Sequence, residues 1–442
     1  MIYDIRDYGA VGNGISNDTA AIQAAIDECA LNGGGLVLLT GQCIYRSGAF
    51  VLRSNVEFHI EEGTVLKAGD RIDDFDLTGG ADLSGSAVNI PTYENCDYDG
   101  CPNLFFIYAK DADNIKISGK GTIDGNEELF YGKISPHHID GSFYPRVPLI
   151  FFENTGNLSV SDVTLRKSAF WTLHMVGCRS VTISNINILN NRLLANCDGI
   201  DPDHCRDVMI TGCKIRSADD CIVFKNTSYG GAYGFCENIT VEDCDLSSTS
   251  SAIKIGTESE DTFRNITVNN CRITDSNRGI SLQLRDKGNI ENVRFENIRI
   301  DTHFVSKEHW WGDAEPIAVT AVKRRPGTKI GHIKNVTFRD IKCSSENGIL
   351  IYGDEPSNIS GVTFSNVSLN IKKGSGKIRE ERDLRPCEAT PFITAPPSAL
   401  CIINAKSTDI SGLRIFIDES KRNIFQSVRE AVRESIGGQS SD

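Results

Sequence analysis

The sequence predicts an all-β chain wound as a parallel β-helix, and three observations carry that reading. One phrase returns from residue 114 onward, as NIKIS, NLSVSDVTL, SVTISNINI, DVMITGCKI, NITVEDCDL, NITVNNCRI, NVRFENIRI, NVTFRDIKC and GVTFSNVSL. Its first apolar residues are Ile115, Leu158, Val181, Val208, Ile239, Ile266, Val293, Val336 and Val362, so the commonest step is near 27 residues. Within each copy apolar and polar residues alternate without a helical period, and Asn, Asp or Gly stands at the edges, the pattern of short strands joined by tight turns. A unit this short cannot bury its own apolar face, so copies must stack. Leucine-rich repeats fit less well because their LxxLxL spacing and asparagine ladder are missing, and a sandwich would not repeat one phrase in register.

In chain order, residues 1–48 read as an N-terminal cap. SNDTAAIQAAIDECA at 16–30 is an amphipathic helix with Ser16, Asp18 or Thr19 as N-cap and Ile22, Ala25, Ile26 and Cys29 on one face. Residues 49–415 are rungs, with long loops at 118–148, 301–330 and 372–397; the last, KKGSGKIREERDLRPCEATPFITAPP, leaves the pattern with charges and prolines. Residues 416–442 end the chain as a helix, with Ile424, Val428, Val432 and Ile436 on one stripe, followed by the tail GGQSSD. The stripe reads as an end cap, and a homo-oligomer stays open. The whole is expected to be one domain, 1–442.

Composition narrows the function. A hydrophobic share of 40 % with 24 % charged residues supplies a core for a soluble globular chain. A net charge of -13 argues against nucleic acid, whose phosphates need a basic partner. No run of 18 apolar residues and no basic, apolar leader appears, so no membrane partner is expected. The 15 cysteines are odd in number and form no CxxC pair, which disfavours a disulfide framework or a zinc knuckle. Cys197, Cys205, Cys213 and Cys221 read as buried thiols. A cytoplasmic location suits them, with secretion or the periplasm as the alternative if a leader was removed.

The stretch NCDGIDPDHCRDVMITGCKIRSADDCIVFK, 196–225, places Asp198, Asp219 and Asp220 among strand-forming residues. Clustered carboxylates push one another's pKa apart, which yields a neutral acid beside charged ones and suits cleavage of a glycosidic bond. The plainer account is that they end strands and accept turn hydrogen bonds. A third is a calcium site.

NCDGID, ADDCI and IGTE together resemble the signature of glycoside hydrolase family 28, the polygalacturonase family. DIRDYGAVGNGISNDTAAIQAAID and PLIFFENTGNLSVSDVTLRKSAFWTLHMVGC extend the likeness over most of the chain. The resemblance implies a right-handed, pectin-lyase-like β-helix, hydrolysis with inversion, Asp219 as general acid, Asp198 and Asp220 holding and activating water, and no metal or organic cofactor. Two motifs depart from the family. Its G-H-G histidine falls on Ser250 or Ser251, and its R-I-K cations, which bind a galacturonate carboxylate, fall on Ser281 and Gln283. A neutral sugar at the cleavage subsite, or an acid held by other groups, is therefore expected.

Candidate substrate-binding residues are Lys225, Lys254, Arg285 and Gln283, with Trp171 and His174 one rung before the acids and Trp310 and Trp311 as a stacking wall. Each cation has a plainer reading as a solvated strand-end charge. Arg382, Asp383 and Arg385 close the cleft from the late loop. The sequence thus points to an exo-acting glycosidase on plant-cell-wall oligosaccharides. Its rivals are a β-helical polysaccharide lyase and an inactive carbohydrate-binding solenoid.

Overall fold

The computed structural model describes residues 1–77, 98–306, 309–375 and 380–425. The chain packs as two compact units, Met1–Asp219 with Ala232–Gly234, and Asp220–Gly231 with Phe235–Asp442.

Each unit repeats one rung of three strands. In the first unit the repeating phrase forms strands such as Gly156–Ser161, Arg179–Ser184 and Arg206–Thr211, paired in parallel with Leu158, Val181 and Val208 in register. A second sheet carries Thr164–Arg166, Asn187–Leu189 and Lys214–Ser217. The third carries Ile107–Lys110, Ile150–Glu153, Leu173–Val176 and Ile200–Asp203. The second unit follows the same plan. Ile239, Ile266, Val293, Val336 and Val362 stand in one row, and Phe295, Phe338 and Phe364 stack below it at 5.2 and 5.1 Å. Burying these rows supplies the driving force that a single short copy lacks.

The edge residues have a backbone reason. Asn157, Asn238, Asn265, Asn292 and Asn335 each precede the first apolar residue of a copy with φ between 53 and 58°, the left-handed region that asparagine tolerates best after glycine. Their side-chain amides also bond to one another. Asn114 donates to Asn55 at 2.8 Å and Asn157 to Asn114 at 3.0 Å, while Asn265 donates to Asn238 at 3.1 Å and Asn335 to Asn292 at 3.2 Å. The expectation that an asparagine ladder is missing is therefore corrected. The ladder is built by the asparagines that open NIKIS, NLSVS, NITVE, NITVN, NVRFE and NVTFR, which bond to one another only once the copies are stacked.

The N-terminal helix spans Thr19–Leu31 and buries Ile22, Ala25, Ile26 and Cys29, as expected. Asp18 holds the N-cap position, but its carboxylate accepts from the Val11 and Gly12 N–H groups and ties the preceding loop instead of the helix. Two of the long loops contain antiparallel hairpins, Tyr131–Ser135 with His138–Gly141 and Glu381–Asp383 with Phe392–Thr394. The expected loops at 118–148 and 301–330 also include regular strands, Thr122–Asp124 and Ile317–Ala321. Of the helix expected from residue 416, the described part holds the end of a strand, Leu413–Ile417, and a short 3-10 helix, Glu419–Lys421, while Val428, Val432 and Ile436 lie outside the described residues. Among the described residues no helix is long and apolar enough to cross a membrane.

Candidate active site

In the first unit the third sheet alternates. Ile107 and Ala109 are buried while Tyr108 and Lys110 reach outward, and the register carries that outward face to Phe151 and Glu153, His174 and Val176, then Asp201 and Asp203. Rings line the face, with Tyr108 stacked on Phe151 at 5.9 Å and His174 edge-on to Phe151 at 5.0 Å. The His174 Nε2 lies 3.2 Å from Asp203 Oδ2. Trp171, expected as a substrate contact, is instead buried as a core aromatic, stacked on Phe170 at 5.3 Å and packed on Tyr98.

Asp198 is buried just ahead of the strand Ile200–Asp203, and its carbonyl accepts from the Thr172 N–H at 2.9 Å. Asp219, half-buried, accepts from the Asn196 N–H at 3.2 Å on Oδ2. The donor sits on a turn with Asn196 at φ +57°. Arg146 holds that turn from inside. Its guanidinium donates to the carbonyls of Ala169 at 2.7 Å, Phe143 at 3.2 Å and Ala195, and reaches Asn196 Oδ1 at 3.5 Å. Burial lowers its pKa to about 10, against the pull of Cys197, Tyr144 and Asp219.

In the second unit Asp220 is 1 % exposed and receives donors on both oxygens. Lys254 Nζ stands 2.8 Å from Oδ2, and the Ser250 hydroxyl and Ser251 N–H each donate to Oδ1 at 3.2 Å. Lys225 Nζ lies 3.3 Å from Glu258 Oε2. Burial raises the Glu258 carboxyl, but Lys225, Arg324 and Lys254 outweigh it and hold its pKa at about 2. Strand register sets Ser281 beside Lys254 and Gln283 beside Gly256. Gln283 donates from Nε2 to the Ser281 hydroxyl at 3.0 Å, which links the two residues at the altered cationic motif, while its Oε1 is buried without a partner. Among the described residues no group of three or more His, Cys, Asp or Glu side chains is placed to hold a metal ion.

Residues 58–385 match the family model described as glycosyl hydrolases family 28. The chain belongs to that family. A probable polygalacturonase of Vitis vinifera is 30% identical over 261 residues, covering 57% of this chain and 50% of that protein. An exopolygalacturonase of Zea mays is 25% identical over 277 residues, covering 57% of this chain and 61% of that one. The chain thus spans about half the length of the first of these relatives. The hyperthermoactive exopolygalacturonase from Thermotoga maritima has the same fold, with a TM-score of 0.69 at 19% identity over 93% of this chain and 92% of the other. The family 28 architecture is accordingly the right-handed, pectin-lyase-like parallel β-helix, the hand that parallel crossovers overwhelmingly take.

Several expected contact residues of this family 28 chain are placed differently. Arg285, expected at a cleft, is instead fully buried, and its guanidinium donates to the Leu384 carbonyl at 2.7 Å, the Pro386 carbonyl at 3.0 Å and the Thr320 hydroxyl at 3.1 Å. Those bonds tie the 380–397 loop down, with Leu384, Cys387 and Ala395 packed on Leu350, Val322 and Cys401. Trp310 is 4 % exposed and anchors its loop, whereas Trp311 is half-buried beneath the Arg385 guanidinium, 5.7 Å from its ring centroid, so the two do not form a pair of exposed faces. Asp383 joins the two loops, accepting from the Gly312 N–H at 3.1 Å and from Arg385 at 2.7 Å.

Sequence reasoning missed Arg146, Glu258 and Arg324. Glu258 directly follows the Thr257 of IGTE and was visible as an acid near Lys254. Arg146 gave no signal, because the carbonyls it binds are scattered along the chain.

Proposed function

We propose that this family 28 chain is an inverting, exo-acting glycoside hydrolase on pectin-derived oligosaccharides. The observation that carries the reading is the family match across 58–385, a span that includes Asp198, Asp219 and Asp220. Asp219 gives its proton to the glycosidic oxygen as the anomeric C–O bond breaks. A water adds its oxygen to the anomeric carbon from the opposite face and passes its proton to Asp198 or Asp220, so the configuration inverts.

Exo-action is supported by the folded 380–397 loop over the third sheet of its unit and by the name of the maize relative. A cleavage-subsite sugar other than a conventionally bound galacturonate is supported by the Ser281–Gln283 pair and by the cations near it: Arg285 is engaged by the late loop, Lys254 by Asp220 and Lys225 by Glu258. Buried thiols support a reducing, cytoplasmic setting.

The test is reducing-sugar release from a panel of galacturonides and rhamnose-, galactose- and arabinose-ended oligosaccharides. Cleavage of a neutral-ended substrate that falls by at least about a hundredfold in Asp219→Asn is expected. Efficient cleavage confined to galacturonides would sink the subsite argument, and a wild type inactive on the whole panel would sink the hydrolase itself.

A further inference from the structure

We propose that Lys254 is a positioning residue for Asp220; this rests on the hydrolase reading above. The geometry carries it. A carboxylate that is 1 % exposed loses nearly all its hydration and must recover it from donors. Lys254, with its own side chain 12 % exposed, supplies the charged one at 2.8 Å on Oδ2. Ser250 and the Ser251 N–H, the two residues on one of which the histidine falls, supply two more on Oδ1. Donors on both oxygens fix the plane of the carboxylate as well as its place, and orientation of that quality is worth as much as proximity.

The strand explains why a lysine at this position reaches an aspartate 34 residues earlier. Ser251–Ser259 pairs with Ile222–Asn226 so that Lys254 lies beside Val223, and the side chain runs along the sheet toward the start of that neighbouring strand. Glu258, Lys225 and Arg324 complete the charged surroundings within this unit, with Lys225 turned to Glu258 and Arg324 to Asp286 at 2.7 Å. The cluster alternates sign, so Lys254 is matched by acids of the protein itself. That is the arrangement of a residue that serves a carboxylate of the chain rather than one of the ligand.

Kinetics of Lys254→Met, Lys254→Arg and Ser250→Ala separate the two roles, each variant first being checked for an unchanged melting temperature. A positioning role predicts that Lys254→Met lowers kcat by about 10- to 100-fold with KM within about twofold, that Lys254→Arg recovers part of kcat, and that Ser250→Ala gives a smaller loss in the same direction. If Lys254→Met fails to fold, Lys254→Arg and Ser250→Ala still carry the test through kcat. Calorimetric binding of galacturonate-ended and neutral-ended trisaccharides to Asp219→Asn, with and without Lys254→Met, should be the same. A rise of about tenfold or more in KM or Kd confined to galacturonate-ended ligands would overturn the assignment and make Lys254 a ligand for substrate carboxylate. Full kcat in a folded Lys254→Met would overturn it too, while a wild type that cleaves nothing would overturn the hydrolase reading and this assignment together.

Discussion

Glu258 shows how a single side chain sets the acid limit of its surroundings. Burial works to raise its pKa, but Lys225, Arg324 and Lys254 bring it from 4.5 to about 2. A depressed carboxylate adds stability that is complete above about 4.5 and is lost as pH falls toward about 2. Urea denaturation of wild type and Glu258→Gln between these limits should therefore converge by about 3 kcal/mol, and parallel pH profiles would refute the three cations as the cause. At this scale the sequence was half legible. The three aspartates stood out because acids are costly among strand residues, and the departures at Ser250 or Ser251, Ser281 and Gln283 were visible against the family pattern. The partners of Arg285 and Arg146 were not, since a long side chain in a β-helix finds its acceptors on other turns of the chain, as with Arg285 and residues 99 and 101 positions later.

Among the structural elements, the turn at Asn265 shows what a repeated residue contributes. Its φ of +57° penalises any side chain with an ordinary Cβ, and its amide bonds link it to Asn238 at 3.1 Å and to Asn292 at 3.5 Å. Asn265→Ala should lose both the bonds and the backbone tolerance; Asn265→Gly loses the bonds alone. The alanine variant is expected to be less stable than the glycine variant by about 1 kcal/mol in chemical denaturation, and equal stability would remove backbone strain from the account. The strands of the repeating phrase were legible because period-2 alternation survives wherever one face is buried. The hairpins Tyr131–Ser135 with His138–Gly141 and Glu381–Asp383 with Phe392–Thr394 were not, because charged and proline-rich flanks hide so short a pairing.

For the molecule as a whole, the rung plan replaces covalent staples by stacked apolar rows. The fourteen described cysteines form no disulfide with one another, and twelve of them are buried while Cys43 and Cys101 are half-buried. Reductant should leave the melting temperature unchanged, and a thiol reagent acting on native protein should label Cys43 and Cys101 ahead of the other described thiols. Rapid labelling of Cys205 or Cys213 would contradict the packing. The sequence revealed this plan because the step near 27 residues is a property of the chain, whereas the length and course of each loop depend on contacts formed after the rungs are built.

Arg285 also imposes an order on biosynthesis. The strand just before it, Arg278–Leu284, and the Thr320 hydroxyl leave the ribosome well before Leu384 and Pro386, which follow Arg285 by 99 and 101 residues. At about 5 to 20 residues per second that is a wait of about 5 to 20 s, during which the guanidinium stays hydrated on an uncovered sheet. Desolvating this charge and closing the late loop are then one event, so the nascent chain keeps a wet, cationic face until that loop arrives to seal it.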